Sequence, residues 1–102
     1  MTDRRPSPAR AEELVSFEEL RFFDCRVERA GPGEDGTIWV NLTDTGEEFS
    51  QVWFVALPGI RTQVLETALV AVQSNLLCQV GLSGTTDGSV IYRIHAIAQE
   101  RR

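Results

Sequence analysis

At 102 residues, with 42% apolar and 25% charged side chains, the chain has the size and composition of one globular domain, which excludes a two-domain, a disordered or a fibrous protein. Its net charge is −5, all ten basic residues are arginine, and residues 20–98 carry five arginines against nine acids, a net of −4. Phosphate backbones and anionic lipid surfaces are held by clustered Lys and Arg, so this balance disfavours nucleic-acid and membrane-surface partners.

Residues 1–19 contain two prolines and no periodic apolar pattern until their end, and read as a flexible tail. Within it, residues 11–20 can form a short helix, since Ser16 and Glu19 have capping-box spacing. The basic start has no apolar stretch behind it, so no secretory signal is read, and no apolar run is long enough to cross a bilayer. The expectation is a cytoplasmic protein without membrane insertion.

From Phe22 the pattern has a period of two. Phe23, Cys25 and Val27 alternate with Asp24, Arg26 and Glu28, the mark of a half-buried strand. Gly31-Pro32-Gly33 and Asp35-Gly36 predict a reversal, and residues 37–43 predict a second strand with Ile38, Val40 and Leu42 on one face and Trp39 and Asn41 on the other. Asp44-Thr45-Gly46 is a turn. A third strand over residues 49–57 is apolar on both faces, with Phe49, Trp53, Val55 and Leu57 opposite Val52, Phe54 and Ala56, so both of its faces should be covered.

After Pro58-Gly59 the period becomes helical over residues 61–74, with Val64, Leu65, Ala68, Leu69 and Val72 on the apolar face, Thr62 as N-cap and Asn75 as a left-handed terminator. Residues 76–82 predict a fourth strand and residues 89–98 a fifth, separated by a turn over residues 83–88. The inward pair Ile91 and Ile94 is spaced by three, which predicts a β-bulge. Five strands with a helix after the third is the order of a mainly β, five-stranded OB-type Greek-key barrel over residues 20–98, with residues 99–102 as a tail. The alternative is a split sheet with the helix on one face. Closure is favoured because the third strand needs cover on both sides.

No residue pattern marks a reaction. His95 on the fifth strand has no recognisable catalytic partner, two cysteines and one His are too few for a zinc site, and Gly31-Pro32-Gly33 opens no helix and so is no phosphate loop. The expectation is a non-enzymatic protein with no metal or cofactor. Cys25 and Cys78 fall on strands that neighbour each other in such a barrel, where a cross-strand bond is geometrically allowed, and in a reducing compartment they are buried small apolar groups. Asn41-Leu42-Thr43 is a formal glycosylation sequon inside a strand and is discounted without a secretion signal.

Two features point outward. Trp39 shares the polar register of the second strand, where it either stacks on a sugar, a base or another subunit, or packs beneath the tail or the helix. The solvent side of the helix, including Glu66, Val70 and Gln73, carries a single charge, which suits either a subunit contact or a quiet surface. The expected function is therefore a self-associating binding module for a glycan or a protein. The rival is a single-stranded nucleic-acid binder stacking bases on Trp39 and Trp53.

The segments Asp35-Gly36-Thr37-Ile38-Trp39-Val40-Asn41-Leu42, Val52-Trp53-Phe54-Val55-Ala56, Leu65-Glu66-Thr67-Ala68-Leu69-Val70-Ala71 and Val90-Ile91-Tyr92-Arg93-Ile94 together resemble a set of small, mostly uncharacterised bacterial proteins. These are similar in turn to the OB-fold B subunits of bacterial AB-type toxins. The resemblance covers residues 23–98. It implies a homopentameric ring with the helices around its centre and a receptor-glycan site on the barrel surface.

Overall fold

The computed structural model describes residues 20–98. The predicted tails over residues 1–19 and 99–102, and the short helix over residues 11–20 apart from its last residue, lie outside these. The elements run β1 (Arg21–Pro32), β2 (Ile38–Asp44), β3 (Val52–Ala56), a 3-10 turn (Pro58–Ile60), α1 (Arg61–Ser74), β4 (Leu77–Leu82) and β5 (Val90–Ile97). The strands close in the order β1-β2-β3-β5-β4, so a closed five-stranded barrel with one helix between β3 and β4 forms, as expected, and the split sheet does not. All pairs are antiparallel except β3–β5, which is parallel and short, with Val55 opposite Val90 and Ala56 opposite Ile91.

Closure depends on β1, which serves two neighbours. Residues from Arg21 to Arg26 pair with β4, and those from Cys25 to Pro32 pair with β2. A bulge between Val27 and Arg29 leaves Glu28 as the extra residue, and the added local twist lets one strand bridge both sides of the barrel. The reversal expected at Gly31-Pro32-Gly33 comes later, because Pro32 still pairs with Ile38. Among the described residues no strand pairs with the other edge of β1 beyond Arg26, and there a proline's missing N–H breaks no ladder bond. The turn itself uses Gly36 at φ +86° and the Asp35 carboxylate, which accepts the Thr37 N–H at 3.1 Å.

β3 begins at Val52, three residues later than predicted. Phe49 lies in the β2–β3 loop, and positive φ values at Glu47 and Gln51 break the alternation before the strand. As a result Phe49 does not share the face of Trp53 and Val55. It turns inward, its ring 5.2 Å from Phe23 and 5.3 Å from Phe54. The two-sided cover of β3 is observed: Phe54 and Ala56 lie in the barrel core while Val55 is buried on the opposite face. The predicted bulge in β5 is also present, since Gly81 pairs with Arg93 and Leu82 with Ile91, leaving Tyr92 between them.

α1 spans the predicted residues, and Asn75 ends it at φ 57°, ψ 44°. Thr62 is not the N-cap. That position is Ile60, because the 3-10 turn runs straight into the helix, and no side chain caps it. The buried face is also narrower than expected. Val64, Ala68 and Ala71 are buried and Leu65 is partly so, whereas Leu69 and Val72 are 41% and 42% exposed. Small alanines bring the helix close to the barrel, and the bulkier side chains one step round the helix fall on its flank. Among the described residues no helix is long and apolar enough to cross a membrane.

Cys25 and Cys78 are free, buried thiols of the core. Burial, reinforced by Asp44, Asp24 and Cys78, pushes the Cys25 thiol from 9.0 to about 12, and burial pushes Cys78 to about 11. Unfolded thiols ionise first, so the stability owed to the neutral pair is complete below pH 9.0 and is lost as pH rises through about 11 and about 12. Between pH 9.0 and about 11 the melting midpoint should therefore fall more steeply for this chain than for the double variant Cys25→Ala/Cys78→Ala. Parallel slopes would remove the thiols as the cause.

Candidate ligand-binding groove

On the outer surface of the barrel, β2 and β3 place Trp39 and Trp53 on a shared face. The register sets Trp39 opposite Val55 and Asn41 opposite Trp53. Both tryptophans are half-buried, and together they line a groove of about 680 Å³. One side is formed by the end of β1, from Arg29 to Pro32, and the other by Asp87 and Gly88 of the β4–β5 loop. Trp39 therefore neither lies under the helix nor stands alone on the surface.

Each wall has a local cause. Gly33 lets the β1–β2 loop approach the indole of Trp39, since a Cβ at that position would sit 3.1 Å from Trp39 Nε1. The β4–β5 loop is tied to the edge of β3: the Trp53 N–H donates to Asp87 Oδ1 at 2.9 Å, and Gly88 N–H donates to the Trp53 carbonyl at 2.8 Å. The Asp87 carboxylate thus acts as a strand acceptor where β5 has not yet begun. On the opposite wall, the Arg29 guanidinium stands 5.9 Å from the Trp53 ring centroid, within cation–π range.

Asn41 lies in register between Arg29 and Trp53 and is only 2% exposed. Its Nδ2 donates to the Gln51 carbonyl at 3.1 Å, while Oδ1 has no hydrogen-bond partner among the described residues. The combination of two indole faces, small or apolar walls, one cation and one carboxylate suits a ligand with flat faces and low net charge.

The other predicted site residues fall elsewhere. Glu66, Val70 and Gln73 are exposed on α1, and none of them lines the groove. His95 is exposed on β5 opposite Gln79. Arg29 and Asp87 are groove residues that sequence reasoning misses. Strict alternation from Phe23, Cys25 and Val27 puts position 29 on the core face, and only the bulge at Glu28 turns Arg29 outward. Asp87 lies 34 positions from the backbone group it binds, and no local signal marks such a contact. No family model, no curated protein and no solved structure matches the chain.

Proposed function

We propose that this chain is a non-enzymatic OB-type binding module that takes an oligosaccharide in the Trp39–Trp53 groove and self-associates through α1. The observation that carries the first part is the pair of tryptophans flooring one groove between β1 and the β4–β5 loop. Pyranose rings present apolar C–H faces that pack on indole, and their hydroxyl rims need a few polar groups, here Arg29 and Asp87. The resemblance to toxin B subunits supports the same ligand class. The test is titration of neutral and sialylated oligosaccharides followed by tryptophan fluorescence. Saturable quenching is expected, and no response to any of them at millimolar ligand would overturn the reading.

Self-association is supported by the exposed apolar side chains of α1: Leu69, Val70 and Val72 are 41%, 48% and 42% exposed on a helix with few charges. Light scattering and native mass spectrometry should find an oligomer that Val70→Glu dissociates. A strict monomer at high concentration removes this part.

The second reading, a binder of single-stranded nucleic acid, has in its favour the same two indoles as stacking surfaces and the Arg29 guanidinium over Trp53. Against it stand the acidic balance of residues 20–98 and the carboxylate of Asp87 in the groove wall. Labelled oligonucleotides at low salt decide the matter, because phosphate contacts are strongest there.

A further inference from the structure

Cys25 and Cys78 are direct partners in the β1–β4 register, with Asp24 opposite Gln79 on one side and Arg26 opposite Leu77 on the other. Both are 0% exposed and belong to one core cluster, so they share the inner face of the barrel. Opposed residues of an antiparallel pair have Cα atoms about 4.5 or 5.5 Å apart, according to whether the pair exchanges hydrogen bonds. Both separations fall inside the range of about 4.4–6.8 Å that a disulfide spans.

We propose that Cys25 and Cys78 are an oxidation site that closes as an intramolecular disulfide, stapling β1 to β4, when the chain folds in the presence of a small-molecule disulfide. The thiol of one cysteine loses its proton to solvent and attacks oxidised glutathione, forming a mixed disulfide and releasing one glutathione thiolate. The second cysteine, likewise deprotonated, attacks the protein sulfur of that mixed disulfide and releases the other glutathione. The two protein thiols give up two electrons and two protons in all, and one oxidised glutathione becomes two reduced molecules.

Timing follows from burial. A sulfur with no exposed surface cannot meet glutathione, so exchange belongs to the open chain, and closure of the barrel protects whichever form is present. The bridge links residues 25 and 78 across most of the domain, and so restricts the unfolded chain strongly.

The test starts from the reduced chain unfolded in urea and refolded in a mixture of oxidised and reduced glutathione. Alkylation in denaturant and mass spectrometry then read the product. The expected result is a product of single-chain mass in denaturant, two hydrogens lighter, with no alkylated thiol, a linked peptide pair containing Cys25 and Cys78, and a melting midpoint raised by about 10 °C. Reduced protein that is already folded should keep both thiols in the same mixture over the same time. Two alkylatable thiols after refolding, glutathione adducts, or chains linked to one another as the main product would overturn the proposal. So would a bridged product that melts below the reduced protein.

Discussion

Alanine at both Trp39 and Trp53 should weaken oligosaccharide binding by about a hundredfold or more while leaving the barrel folded. Each indole is a large, rigid surface at the centre of the groove, and aromatic anchors of this kind contribute about 2 kcal/mol or more when truncated. Neither belongs to the core cluster, which is built from the opposite faces of β2 and β3, so far-UV circular dichroism should change little. Calorimetric titration is the suitable readout, since the variant has no tryptophan left. Arg29→Ala separates the two ligand classes. It should reduce oligosaccharide binding about fivefold, through loss of one hydrogen-bonding group at the hydroxyl rim, but it should abolish binding of an oligonucleotide, for which Arg29 is the one cation among the described groove residues. A double variant that binds as tightly as the parent would move the site away from the groove.

Phe54→Ala should cost about 3–5 kcal/mol, a large share of the roughly 5–15 kcal/mol that holds a domain of this kind together. Phe54 is the largest fully buried side chain in the domain, and Phe49 packs on its ring at 5.3 Å, with Phe23 beyond. Its removal opens a cavity that the closed barrel cannot collapse to fill, because the strands on every side are held in register. Urea unfolding followed by circular dichroism gives the value. Phe54→Leu should recover more than half of the loss, and equal destabilisation by both substitutions would mean that shape rather than volume governs the site.

Much of the fold follows from short-range rhythm. The alternation through Val27, the helical period over Arg61–Ser74, the left-handed Asn75 and the three-residue spacing of Ile91 and Ile94 each report a local backbone state, and all four appear in the structure. The same rhythm misleads where the period slips inside an element or beside it. Phe49 precedes a residue with positive φ, Arg29 follows a bulge, and Leu69 and Val72 lie beyond the strip of helix that the barrel has room to cover. Trp39 was legible as an outward aromatic. Trp53 was legible beside it as a stacking residue, whereas Arg29 and Asp87 were not.

By itself the sequence determined the order and kind of the elements, because each is set by neighbours three or four positions away at most. Tertiary structure alone decided the groove, which exists only once β1 has curled past its bulge and Asp87 has bonded to β3. Those contacts join residues far apart in the chain, and their geometry is fixed by the closure of the barrel rather than by any pattern in the residues that meet there.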